Sequence, residues 1–161
     1  MSSTIVLSVD IATTPDKAYE ALSTQRGLAG WYTPEVETEQ QQHSGSMVTL
    51  RFGELTMLIF KIEELETNRR LVWSGVQVPG AWKQSRITFE IAGGRHTTAD
   101  SSMATLQFTQ SGLPSAYEDL GIFSYLWGQY LRSIKLLLET GTGEPFGSAG
   151  SKLAGTTPPN A

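Results

Sequence analysis

The amino-acid sequence predicts an α+β fold: a curved antiparallel β-sheet wrapped around a long C-terminal α-helix, with two short helices after the first strand. Three observations carry this expectation. Segments between residues 4 and 110 alternate apolar and polar side chains at period two, the mark of a sheet covered on one face. After the first of these segments, a stretch punctuated by proline and glycine has helical character. Residues 118 to 139 then carry an apolar stripe at helical spacing opposite a polar one.

Thr4 to Ile11 reads as the first strand, with Ile5, Leu7, Val9 and Ile11 on one face. Thr14 is placed as an N-cap, Pro15 suits the first helical position, and Asp16 suits the positive helix end. Gly27 and Gly30 break this region into a short second helix ending at Trp31-Tyr32. In the strands that follow, Val48, Leu50 and Phe52 alternate with Thr49 and Arg51. The turn Gly53-Glu54 leads into Leu55 to Leu65, and Leu71 to Gly75 carries Trp73. Ile87, Phe89 and Ile91 alternate with Arg86, Thr88 and Glu90. A turn at Gly93-Gly94 precedes Met103 to Thr109, where Ala104, Leu106 and Phe108 face inward. Ser115 and Glu118 match a capping box that starts the final helix. Its inward stripe is Leu120, Phe123, Trp127, Tyr130, Ile134 and Leu137. The outward stripe of Glu118, Gly121, Gly128, Arg132, Lys135 and Glu139 is interrupted only by Tyr125, and Gly141 ends the helix. Residues 1 to 146 form the expected domain, and 147 to 161 read as a flexible tail rich in Gly, Ser and Pro.

The chain has 161 residues, which suits one domain. It has no cysteine, so disulfides, thiolate metal sites and cysteine nucleophiles are excluded. Twelve basic against sixteen acidic residues give a net charge of −4, and the only basic doublet is Arg69-Arg70, in an expected turn. That pattern disfavours nucleic acid. No signal peptide or membrane-spanning run is visible, so no membrane insertion is expected and cytoplasmic is the default location.

The order of one strand, two short helices, about six strands and a long helix is the helix-grip order. ATTPDKAYEAL from Ala12 to Leu22, followed by Gly30-Trp31-Tyr32, resembles the opening of proteins in the START/pollen-allergen superfamily. Trp127, Gln129-Tyr130-Leu131, Ser133-Ile134-Lys135 and the run Leu138 to Pro145 resemble the ending of one branch. That branch is the bacterial homologues of the C-terminal domain of the heat-shock protein 90 ATPase activator. The resemblance covers roughly residues 4 to 146. It implies a cavity between sheet and helix, in a superfamily that includes lipid carriers, cyclases, hormone receptors and co-chaperones. The eukaryotic activator carries a further N-terminal domain, for which this chain has no room.

No catalytic constellation is visible, and neither a metal nor a cofactor is expected. His43 and His96 sit in polar loops. Glu35, Glu37 and Glu39 would share a strand face, but three carboxylates on an exposed face make a poor calcium cage. Gly141-Thr142-Gly143 follows a helix instead of preceding one, so it caps and does not hold phosphate. Weight falls on the inward aromatic residues Trp31, Phe52, Trp73, Phe89, Phe108, Phe123, Trp127 and Tyr130 as the lining of a pocket for a small apolar or amphipathic ligand. Arg86, Glu90, Gln107, Tyr32 and Tyr130 are the polar groups such a pocket draws on, although alternation sends most of them outward. Non-catalytic binding of that ligand is the expected function. The alternatives are a co-chaperone-like interaction module, with a chaperone or other protein as partner, and a cyclase- or hydrolase-type enzyme using the same cavity. A monomer or homodimer is expected.

Overall fold

The computed structural model describes residues 2–93, 102–156 and 158–159. Strand β1 (Ser2–Ile11) leads into α1 (Pro15–Ser23) and α2 (Gln25–Trp31). Six strands follow: β2 (Glu35–Thr38), β3 (Met47–Phe52), β4 (Thr56–Glu66), β5 (Arg70–Gln77), β6 (Arg86–Gly93) and β7 (Ala104–Pro114). A 3₁₀ turn at Gly80–Trp82 separates β5 from β6. Helix α3 (Leu120–Thr140) crosses the sheet and a short α4 (Ala149–Ala154) follows. The seven strands run antiparallel in the order β1-β7-β6-β5-β4-β3-β2. This is the α+β helix-grip arrangement that the alternation and the final amphipathic helix predict.

Burial explains the register. Strands β3, β6 and β7 bury every second residue: Val48, Leu50 and Phe52; Ile87, Phe89 and Ile91; Ala104, Leu106 and Phe108. A slip by one residue would turn each of these sets to the solvent. Phe89 lies opposite Phe108, and Ile87 lies opposite Gln110. Beyond Gln110 the strand reaches Gly112 with φ of +79°, where an added Cβ would stand 2.7 Å from the Gln84 carbonyl oxygen. Only glycine fits there.

Helix α3 is about 31 Å long at 1.5 Å per residue. It buries Phe123, Leu126, Trp127, Tyr130, Leu131, Ser133 and Ile134. Leu120 and Leu137, at the two ends of the expected stripe, are only half-buried. Gly141 closes the helix in the left-handed conformation, its N–H donating to the Leu137 carbonyl.

Two capping expectations need correction. The Ser115–Glu118 capping box does not start the helix, which begins at Leu120 with Asp119 as an N-cap that makes no side-chain bond. Tertiary contacts override the local signal. Tyr117 stacks on Phe123 at 5.9 Å and accepts a hydrogen bond from Trp82 Nε1, which holds the preceding residues in turns. Thr14 likewise sits at the N-cap of α1 without a side-chain cap bond, whereas Thr24 does cap α2 through the Gly27 N–H. Within residues 147–161, α4 follows α3. Ser148 accepts from the Ser151 N–H at its start, and Tyr125 Oη donates to the Ala154 carbonyl at its end.

Candidate functional site

The aromatic residues singled out in the sequence converge on the interior of the grip. Trp31, Phe52, Trp73, Phe89, Phe108 and Trp127 are all but completely buried, and Phe123 and Tyr130 nearly so. They pack ring against ring. Trp127 lies 4.4 Å from Phe108 and 6.2 Å from Tyr130, centroid to centroid. Phe89 joins Trp73 at 5.0 Å, Phe108 at 5.6 Å and Trp31 at 6.3 Å. These spacings are those of offset and edge-to-face contact, so each ring spends its faces on its neighbours. Five recesses on the surface are lined by other side chains.

Three further buried residues complete this cluster: Tyr32, expected among the polar groups of a pocket, and Trp82 and Gln110, which the sequence did not single out. Tyr32 stacks on Trp31 at 4.9 Å and meets Tyr130 edge-on at 4.6 Å. Trp82, in the 3₁₀ turn, stacks on Trp127 at 6.1 Å and meets Phe123 edge-on at 5.1 Å. Gln110 supplies the polar link: Trp127 Nε1 donates to its Oε1 at 3.1 Å, and its Nε2 donates to Ser85 Oγ at 3.2 Å. Alternation along β7 forecasts an inward side chain at position 110, and a polar one passes unnoticed until its partners are known.

Among the described residues, the buried titratable groups are two phenols. Burial pushes both the Tyr32 and the Tyr130 hydroxyl well above the ordinary range, so each stays protonated at neutral pH. Glu90 and Gln107 face each other across β6 and β7 away from the core, and Arg70 Nη1 donates to Glu90 Oε1 at 2.9 Å. Arg86 is exposed. The three acids Glu35, Glu37 and Glu39 do not share a face as expected, because β2 ends at Thr38. Glu39 turns instead to His43 Nε2 at 2.8 Å and accepts from Ser46 Oγ at 3.2 Å. His96 and the Gly94 half of the Gly93-Gly94 turn lie outside the described residues. Among the described residues, no cluster of three or more His, Asp or Glu is placed to hold a metal. No helix among them is long and apolar enough to cross a membrane.

The outer face of α3 presents different chemistry. Ile122 is 58% exposed, Tyr125 57% and Leu153 of α4 90%. Tyr125 and Leu153 line one shallow recess of about 300 Å³, with Gln129, Arg132 and Glu144 on its rim. The rim is tied together: Glu144 Oε2 accepts from both Arg132 and Gln129, and Ser133 Oγ accepts from the Glu144 N–H while donating to the Trp31 carbonyl. The Arg132 guanidinium holds the Glu144 carboxyl below the usual glutamate range. Phe146 continues this strap, its N–H donating to the Tyr32 carbonyl and its ring meeting Phe52 at 5.5 Å.

Comparison with known proteins agrees with this architecture. Residues 12–139 match the family described as "Activator of Hsp90 ATPase homolog 1-like protein". No curated protein matches the chain by sequence. Among solved structures, the Aha1 dimer from Colwellia psychrerythraea is similar at 26% identity and a TM-score of 0.74, covering 88% of this chain and 99% of that one. A Mesorhizobium loti protein is similar at 19% identity and a TM-score of 0.68, covering 84% of this chain and 96% of that one. A Staphylococcus saprophyticus protein is similar at 18% identity and a TM-score of 0.67, covering 88% of this chain and 95% of that one. The last two likenesses speak for the fold alone.

Proposed function

This chain belongs to the Activator of Hsp90 ATPase homolog 1-like family, and on that premise we propose that it is a non-catalytic protein-interaction module of the co-chaperone kind, working through its outer surface. The observation that carries the proposal is the apolar cluster of Ile122, Tyr125 and Leu153, exposed where the rest of the outward α3 face is polar. Such clusters on a folded domain mark contact surfaces. The ring-to-ring packing inside supports this reading over a ligand held between sheet and helix. We accordingly assign Trp31, Phe52, Trp73, Phe89, Phe108, Phe123, Trp127 and Tyr130 to packing. Among the described residues no carboxylate or imidazole is buried in the interior to serve as a general base, which favours binding over a cyclase or hydrolase reaction. In this reading the protein acts in the cytoplasm on an Hsp90-type chaperone. A homodimer is the proposed assembly, as the Colwellia relative is described as a dimer.

The test is ATP turnover by the Hsp90-type chaperone of the same cells, measured with and without this protein. Stimulation is expected from the wild-type chain and is expected to fall when Ile122→Ser and Tyr125→Ser are combined, with far-UV circular dichroism unchanged. Absence of any physical association with the chaperone overturns the proposal, as does stimulation indifferent to those substitutions.

A further inference from the structure

Away from that surface, α1 and α2 meet the last turns of α3 around a groove of about 590 Å³, whose lining includes Lys17, Glu20, Arg26, Leu137 and Leu138. Sites for small molecules occupy about 300–1,000 Å³. Small residues let the three helices approach closely. A Cβ on Gly27 would stand 2.5 Å from Ala21 Cα, and one on Gly30 would stand 2.9 Å from Leu137 Cδ2. The buried stripe of α3 ends at Ile134, yet Leu137 and Leu138 follow, half-buried and not closed over by the rest of the chain. The rim is cationic. The exposed Lys17 and Arg26 side chains make no ion pair or hydrogen bond among the described residues; the same holds for Arg51, Lys83 and Lys152, but of these only Lys17 and Arg26 line the groove. Glu20 is the one acid in the lining, set against these two cations. The Gly141 N–H and Thr140 Oγ1 cap the Leu137 and Leu136 carbonyls, which lessens the negative character of the α3 end beside the groove.

We propose that this groove binds an amphipathic carboxylate, with its hydrocarbon chain on the leucine floor and its head group between Lys17 and Arg26. Two cations without a partner beside the half-buried Leu137 and Leu138, on a protein of net charge −4, are complementary to an anionic head joined to a hydrocarbon chain. The site is separate from the Ile122–Tyr125–Leu153 surface and does not depend on the co-chaperone reading.

Decanoate, kept below its micelle concentration, is titrated into the isotope-labelled full chain and followed by amide chemical shifts. Saturable shifts are expected at Gly27, Gly30 and Gly141. Combining Lys17→Ala with Arg26→Ala removes exposed charges only, and is expected to weaken binding by about fivefold or more, as for a pair of surface ion pairs. Added salt is expected to weaken decanoate in the wild-type chain while leaving decanol, a weaker binder, unaffected. The proposal is overturned by the absence of saturable shifts, by equal binding of decyltrimethylammonium, by indifference to both salt and the double variant, or by shifts centred on the Trp31 and Trp127 indoles.

Discussion

Replacing Trp127 by alanine removes an indole that is 1% exposed and touches the rings of Phe108, Tyr32, Trp82 and Tyr130. A large aromatic deleted from a packed core costs about 3–5 kcal/mol. The same change strips Gln110 Oε1 of its donor, and Gln110 is completely buried, so an unpaired acceptor adds about 1–3 kcal/mol. Contacting terms do not add in full, which sets the expected loss at about 4–6 kcal/mol. Trp127→Phe keeps part of the ring contact but loses the N–H and the volume of the larger ring, for about 1–3 kcal/mol. Urea unfolding followed by far-UV circular dichroism is the suitable assay, because indole fluorescence changes with the substitution itself. The midpoint should fall with little change in slope. Since domains of this kind are stable by about 5–15 kcal/mol, the alanine variant should stand near the edge of folding. A loss below about 1 kcal/mol, the scale of surface changes, would refute the reasoning and place the indole against empty space.

Three further outcomes are expected. Ile134→Ala, at a completely buried site, should cost about 2–5 kcal/mol, and Leu137→Ala, half-buried beside the groove, about 1–2 kcal/mol; the order of their urea midpoints checks the helix phase. Gly27→Ala should destabilise by about 1–3 kcal/mol in the same assay, because its Cβ meets the backbone of Ala21, which has no side-chain end to yield. Arg132 and Lys135 hold Glu144 and Glu139 below the ordinary glutamate range. A lowered folded value stabilises the fold above the unfolded pKa of about 4.3, and that contribution is lost as pH falls through the lowered value. Glu144→Gln should therefore flatten the acid limb of the stability-against-pH curve.

Most of the sheet was legible because one face of each strand is buried. Val48-Leu50-Phe52 and Ile87-Phe89-Ile91 announce their register by alternation, and the helix phase of Phe123, Trp127, Tyr130 and Ile134 follows from spacing. The start of α3 was not legible, since a local capping pattern cannot report that Tyr117 is held by Trp82 and Phe123. Trp82 belongs to no periodic segment, and its place against Trp127 depends on a contact between residues far apart in the chain. Ser133 and Gln110 look like surface residues by type. Each is buried because it joins polar groups from two elements: Ser133 the Trp31 carbonyl and the Glu144 N–H, Gln110 the Trp127 indole and Ser85. The aromatic set was located correctly on inward faces, but whether inward rings enclose a space or close it depends on summed volumes across the sheet and helix. No periodicity encodes that. Tyr125 was visible as the one break in the polar stripe of α3, and its neighbours Ile122 and Leu153 give the break its meaning.

Whether the grip is filled is tested most directly with a small apolar probe that enters dry cavities, xenon or benzene, added to the isotope-labelled chain. Packed rings predict no saturable shift in the aromatic resonances of Phe89, Phe108, Trp127 and Tyr130 beyond the small linear drift of solvent change. Saturable shifts confined to those rings would contradict a filled interior and return the ligand to the space between sheet and helix.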